Sequence, residues 1–366
     1  MAVNYRTAYL ESYVEEKIHI PFLSTFFRTR PSDIVDAESV KIDIMRSGRR
    51  IAPVISSISQ EGSKIKKSRY TNKEYTPPVV GEKGDVSNTD LIAKAFGKSE
   101  YDSAKDSYMM ALQNEIMDTM KEIEKDIMRT IELQAAQILQ NAGGVTLYDE
   151  SGNTAFEIDF LTKATHFVTV GTNWSDSASD PDGDIIALYD VIKQDSGADA
   201  RNLIFGKTAW RNYIKNTKVE DKFDIRNIDA GTIAMKKQSP DVTLMGEFVV
   251  ENQRFIAWVY DAYYEDPSNS SATTPFVAAD KVIMMPDPGA ANTDFRKIFC
   301  TVPSISKLIG QGDLGLVPTN LNLDNRAYTA RSWLNENGDQ LSFEIKTRPL
   351  LIPVSIDAFG CLDTVI

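Results

Sequence analysis

The chain is short of the residue types that most often carry chemistry. Its 366 residues include two histidines, His19 and His166, and two cysteines, Cys300 and Cys361. Their spacing matches no zinc pattern, and two thiols cannot staple a disulfide scaffold. No G-x-S-x-G nucleophile elbow occurs. Neither histidine has a nearby sequence partner, so each reads as structural. Long apolar runs are also missing. No stretch approaches the ~18 residues needed to span a bilayer, and Met1–Leu10 lacks the basic-then-apolar order of a secretory signal. Positive charge is in deficit too: 40 basic against 52 acidic residues give a net charge of −12. That balance weighs against general nucleic-acid binding, which rests on phosphate neutralisation. Together these shortages predict a soluble protein of a reducing compartment with both thiols free. The sequons at Asn173 and Asn269 then read as chance matches.

What is present is ordinary globular material. A hydrophobic fraction of 42% with 25% charged residues permits a packed core, and the length suggests two domains. Along the chain the parts differ. In the first forty residues too few apolar side chains cluster, chiefly the anchors Phe22, Phe26 and Phe27, to bury a core of their own. These residues read as an arm that lies on something else. Val40, Ile42 and Ile44 alternate with polar residues like a half-buried strand, and Ile51–Ile58 is another strand candidate. Lys64, Lys66, Lys67, Arg69 and Lys73 then place five positive charges in ten residues with no negative one. Glu74–Val80 is extended and stiffened by Pro77 and Pro78. Residues 40–80 therefore read as a two-stranded ribbon with a basic tip. Such a ribbon is marginal alone in water and needs a support.

The clearest local signal is a helix. Apolar residues at Met109, Leu112, Ile116, Met120, Ile123, Ile127, Ile131, Ala135 and Ile138 keep a mean spacing near 3.6. Gly143 and Gly144 stop it. A helix over residues 103–142 is about 60 Å long at 1.5 Å per residue, more than a compact domain of this size spans. It reads as a spine across an elongated subunit, with Ile116, Met120, Ile123, Ile127 and Ile131 as its core face. Five of the eleven methionines, Met109, Met110, Met117, Met120 and Met128, fall on it. Their flexible side chains suit a helix whose surroundings change.

A hairpin is expected at Val145–Tyr148 and Ala155–Phe160, and a helix at Ile185–Lys193 capped by Asp182 or Asp184. Strands are expected at Ala164–Val170, Leu203–Phe205, Thr243–Val250 and Arg254–Tyr260. A helix is expected at Thr208–Lys215 and a loop at Pro267–Pro275. The tail alternates at Leu341–Lys346, is continuously apolar at Pro349–Val354, and alternates again at Val354–Phe359. The composition is α+β.

Three motifs resemble ligand sites. Gly310-Gln311-Gly312-Asp313-Leu314-Gly315 fits G-x-G-x-x-G, but Pro318 follows where a helix is required. Gly206-Lys207-Thr208 resembles the end of a P-loop, but its first glycine is replaced by Arg201. Asp180, Asp182 and Asp184 around Gly183 resemble a calcium loop, yet Ala178 and Tyr189 occupy positions that need oxygen ligands. The residues therefore give no catalytic, cofactor or metal site, with weak cation binding at the aspartate loop left open. The basic segment Lys64–Lys73 reads as a solvated loop or as a docking element for an acidic neighbour, which copies of this acidic chain supply; nucleic-acid contact ranks third, since only Tyr70 and Tyr75 are nearby for stacking.

The order of these parts resembles the phage major capsid protein E family of lambda-like tailed bacteriophages. The resemblance is carried by Pro21–Arg28 (PFLSTFFR), Ile51–Ser56 (IAPVIS), and Gly62-Ser63 followed by Arg69 and Glu74–Val80 (EYTPPVV). It continues through the helix end Gln140–Gly143, Trp174 with Asp180-Pro181 and Asp184-Ile185, and Trp333-Leu334 through Pro349–Ile352 (PLLI) to Phe359. Residues near 195–300 match least.

The resemblance implies an α+β capsid fold of the Hong Kong 97 type. Residues 1–37 are expected as the N-terminal arm, 38–95 as the extended loop, 96–183 with 311–366 as the peripheral domain, and 184–310 as the axial domain. It further implies a non-enzymatic protein that assembles into hexamers and pentamers of an icosahedral head around double-stranded DNA, in the host cytoplasm. The implied partners are copies of itself, a separate scaffolding protein, a portal and a decoration protein. Contact with DNA is expected to be loose, and contact with membrane absent. Only about twenty residues precede Pro21, which leaves no room for a fused scaffolding domain. A non-viral shell or a tail-tube-like protein is the alternative, and an enzyme with an unrecognised carboxylate site is the other class left open.

Overall fold

The computed structural model describes residues 21–35, 37, 39–45, 70–87, 104–219, 236–237, 239–269, 272–290, 293–302, 327–335 and 337–366. The expectations at His19, Ile51–Ile58 and Gly310–Gly315 lie outside them, as do Lys64, Lys66, Lys67 and Arg69.

Helix α1 spans Ala104–Gln140, 37 residues, or about 55 Å. Ile116, Met120, Ile123, Ile127 and Ile131 recur every three or four positions and are all buried, so one stripe lies against the rest of the chain. The helix ends where Ala142 and Gly143 both turn left-handed, with φ of 51° and 79°. The Gly143 amide closes back on the Ile138 carbonyl at 3.1 Å. A side chain at Gly143 would also meet the Thr162 methyl. The chain leaves directly into the antiparallel hairpin Gly144–Tyr148 and Thr154–Asp159.

The largest sheet has seven strands. Their spatial order is Phe167–Thr169, Gly360–Asp363, Lys281–Met285, Asn202–Phe205, Gln253–Tyr260, Val242–Val250 and Lys236–Lys237. Asn202–Phe205 sits near the middle and is buried at every position, which explains its unbroken apolar reading. It runs parallel to Gln253–Tyr260 and antiparallel to Lys281–Met285. Residues Phe167–Thr169 and Gly360–Asp363, from either side of the 184–310 stretch, complete the sheet. Helices α2 (Pro181–Ser196) and α3 (Lys207–Lys215) contribute to its core: Ile185, Leu188, Tyr189, Ile192, Ala209 and Tyr213 share one cluster with the sheet residues Leu203, Phe205 and Phe255.

A second cluster surrounds α1. Two small sheets belong to it. One joins Tyr328–Leu334, Gln340–Thr347 and Val80–Ser87 in antiparallel order. The other joins Ile34–Val35, Phe295–Cys300 and Pro349–Pro353. Val80–Ser87 crosses α1 closely at Gly84, where a Cβ would fall 2.7 Å from the Thr119 methyl and 2.5 Å from the Phe343 ring.

Several local expectations change. The ribbon is present at its base, as Val40–Met45 paired with Tyr70–Tyr75, but the chain beyond Val80 leaves it to pair with the tail. Helix α2 begins at Pro181, four residues early, because proline is well placed at a first helical position. Pro267–Pro275 is not merely a loop: Ala272–Pro275 pairs with Tyr263–Asp266. His166 closes a short 3-10 turn, Ala164–His166, ahead of the strand. Val354–Phe359 is a turn, although its residues alternate. The Ser355 amide bonds the Asp294 carbonyl and the Ala358 amide bonds the Ser355 carbonyl, so its backbone makes no ladder. The strand starts at Gly360.

Candidate assembly surfaces

The arm anchors lie within the chain itself. Leu23, Phe26 and Phe27 are buried, and Phe22 packs on Phe26, Trp258 and Tyr260 at centroid distances of 5.2–5.8 Å. Their fixed point is Glu132 of α1, whose side chain is fully buried. One carboxylate oxygen accepts the backbone N–H of Phe22 at 2.9 Å and of Leu23 at 2.6 Å, and the other accepts Ser24 N–H at 2.9 Å. The Tyr260 hydroxyl donates to the same group at 3.0 Å. A carboxylate at the start of a short helical turn satisfies donors that would otherwise be orphaned. Burial, with Glu132 beside it, holds the Tyr260 hydroxyl protonated far above its ordinary range. Burial also pulls the Lys297 ammonium downward, and Glu132 opposes that shift.

Sequence reading missed Glu132. The available signal was an acid placed among apolar neighbours at i−4, i+3, i+4 and i+7: Met128, Ala135, Ala136 and Leu139.

The ribbon base rests on the body through Tyr75. Its ring packs on Phe160 at 5.6 Å, and its hydroxyl bonds the Asp159 carbonyl at 3.3 Å. Lys41 and Glu74 pair across the ribbon at 3.8 Å. Of the basic-tip residues, only Lys73 is described; it stands opposite Ile42.

Where Val80–Ser87 meets α1, the Glu82 and Asp126 carboxyls are neighbours. Two carboxyls side by side each disfavour the other's ionised form. Burial and then Asp126 raise the Glu82 carboxyl to about 7, against the pull of Arg129. Arg129 bonds Asp126 at 2.7 Å.

The ligand-like motifs are used by the fold. The amides of Thr208 and Ala209 both donate to the Ala279 carbonyl at 2.8 Å, so the N-terminus of α3 is occupied. Gly206 is required because a Cβ there would fall 2.2 Å from the Ala278 carbonyl oxygen. The three aspartates diverge. Asp182 is buried and accepts the Tyr213 hydroxyl at 2.9 Å, and Asp184 accepts the Trp174 indole N–H at 2.9 Å. Asp180 precedes the helix, and neither Asp182 nor Asp184 caps it. His166 is fully buried between the Phe359 carbonyl (3.0 Å) and Asp195 (2.9 Å), and Lys163 also reaches Asp195 at 2.7 Å. Lys163 and then His166 hold the Asp195 carboxyl below its ordinary value. Among the described residues no three His, Cys, Asp or Glu converge as metal ligands.

The functional geometry is therefore one of anchors and contacts: an arm root clamped to a long helix, a ribbon leaving the body, and a tail returning to three sheets. This is the α+β subunit fold of Hong Kong 97-type capsids. A protein described as a prophage capsid protein, from E. coli CFT073, shares it at 14% identity and TM-score 0.62, over 94% of this chain and 93% of that one. A protein of Mycobacterium phage Che8 aligns at 8% identity and TM-score 0.48, over 99% and 97%. No curated protein matches the chain in sequence. The family described as phage major capsid protein E matches residues 7–360. The chain belongs to that family. It is a structural protein of the bacteriophage head, a component of the virion that assembles with copies of itself.

Proposed function

We propose that the chain builds a closed icosahedral shell of hexamers and pentamers around double-stranded DNA and has no catalytic activity of its own. The observation that carries this reading is the family match across nearly the whole chain. Two features of the molecule support it. The ribbon Val40–Met45 with Tyr70–Tyr75 has only two strands, too few for independent stability, and neighbours in a shell supply the missing contact. The surplus of acid over base lets the basic segment Lys64–Lys73 grip the surface of an adjacent copy.

In this reading residues 1–37 are the arm, 38–95 the extended loop, 96–183 and 311–366 the peripheral domain, and 184–310 the axial domain. A separate scaffolding protein, a portal and a decoration protein complete the head, which assembles in the host cytoplasm and touches its DNA loosely. Electron microscopy of the purified chain, alone and with its scaffolding protein, tests the proposal. Closed isometric particles are expected. Tubes would support a tail-type protein instead, and a small monodisperse species under both conditions would overturn the shell.

A further inference from the structure

An open groove of about 520 Å³ lies beside helix α3. Its floor is apolar and aromatic. Trp210 stacks on Tyr213 at 5.7 Å and packs edge-on against Phe205 at 5.0 Å, and Met245 and Val259 come from the adjacent strands. Ile214, one helical turn from Trp210, is 43% exposed at the rim. Arg211 and Lys215 lie on the same helix four residues apart, so their side chains share a face. Neither has an ion-pair partner among the described residues.

The acids of the groove are already engaged. Lys207 pairs with Asp261 at 2.6 Å, and the Tyr263 hydroxyl donates to Asp261 at 2.8 Å. Asp241 also has a partner. Among the described residues the free charge is thus positive, beside apolar surface that they leave uncovered. Such a surface fits a segment that is acidic and apolar together. The groove is too open to enclose a small molecule in the usual way.

We propose that this groove receives an acidic, apolar segment from a neighbouring copy of the same chain, making α3 an inter-subunit contact of the shell. The proposal rests on the shell reading above. Charge complementarity names the occupant. A chain with twelve more acids than bases presents acidic surface in every neighbour, and Arg211 and Lys215 are positioned to meet it. A shell also surrounds each subunit with copies at high local concentration.

The test uses a thiol at the rim. The two native cysteines are buried, so Ile214→Cys introduces a single accessible thiol. Its reaction with a maleimide is measured in assembled shells and in unassembled subunits of the same variant. We expect the shell to react more slowly by about tenfold or more, as for groups reached only through opening of a packed contact. Equal rates overturn the proposal. Slow reaction in both states also overturns it, because the chain then covers its own groove. Protection that vanishes when scaffolding protein is removed from intact shells assigns the groove to that protein instead. Thr243→Cys, on the strand side of the groove, carries the same measurement if Ile214→Cys does not fold. Shells of the unaltered chain are the control. Their absence overturns the shell reading and this contact with it, whereas equal labelling in well-formed shells overturns the contact alone.

Discussion

Glu132 shows how much one residue can organise. Its carboxylate accepts three consecutive backbone amides and a tyrosine hydroxyl in a fully buried position. Removing it leaves four donors unpaired away from water, and hydrogen bonds to a charged group carry about 1.5–3 kcal/mol each. Glu132→Ala is expected to lower unfolding free energy by about 3–5 kcal/mol, read from urea denaturation. The same variant should make the chain near Phe22 newly sensitive to protease, and unchanged proteolysis would mean the arm is held by its aromatic rings alone. None of these partners was legible from sequence. They lie more than a hundred positions away, at Phe22–Ser24 and Tyr260, and a periodicity argument sees only neighbours three and four residues off. By contrast Ile116, Met120, Ile123, Ile127 and Ile131 were legible, because their burial follows directly from the helical repeat. Gly206 lies between these cases. Its place between strand and helix could be read, but the carbonyl that excludes a side chain there belongs to Ala278.

At the scale of elements, the contact between Val80–Ser87 and α1 is the one that titrates. A carboxyl whose folded value lies near 7, against an ordinary 4.5, binds its proton more tightly in the folded state. Its contribution to stability is present below about 4.5 and is lost as pH rises through about 7. Glu82 is an exposed residue, so solvent screening keeps the effect small. The expected outcome is that the wild-type denaturation midpoint falls between pH 5 and pH 8 and that Glu82→Gln flattens this slope. An unaltered slope in the variant assigns the pH dependence elsewhere. Asp195 acts in the opposite sense. Its lowered value gives stability that is present above an ordinary 3.8 and lost as pH falls through the lower folded value. The spine helix also sharpens an idea from its composition. Of its described methionines, Met120 and Met128 pack in the core and Met117 is 48% exposed. If the head expands as DNA is packaged, as the family resemblance implies, and methionine repacking serves that change, Met120→Leu with Met128→Leu should shift the conditions of expansion while leaving assembly intact. Time-resolved scattering reads this directly, and an identical expansion profile removes the role. The strand at Val80–Ser87 was not legible as part of the tail sheet, because its partner Gln340–Thr347 lies far along the sequence and local alternation names no partner.

At the scale of the whole molecule, the chain is acidic and carries a local cluster of five positive charges at Lys64–Lys73. If this segment docks on a neighbouring copy, replacing Lys64, Lys66 and Lys67 by glutamate should weaken contacts between capsomers. Sedimentation is then expected to show fewer closed particles and more free capsomers, with greater sensitivity to salt. Shells of normal yield and salt tolerance from the triple variant would refute the docking role. The α+β class and the order of parts were legible because each part has its own pattern: sparse anchors, alternation, a long 3.6-residue repeat. Which sheet each late strand joins was not, since pairing is decided by three-dimensional proximity.

One pairing sets a clock. Gly360–Asp363 lies inside the seven-stranded sheet, between Phe167–Thr169 and Lys281–Met285. The buried His166 waits for the Phe359 carbonyl, 193 positions later. At synthesis rates of about 5–20 residues per second, that interval is roughly 10 to 40 s. During it the sheet has a gap and His166 lacks its acceptor. A nascent chain therefore lacks a strand of its largest sheet until residue 363 has been made. A chain cut before Phe359 is expected to be less stable than the full chain, because His166 then loses its Phe359 acceptor and the sheet stays open.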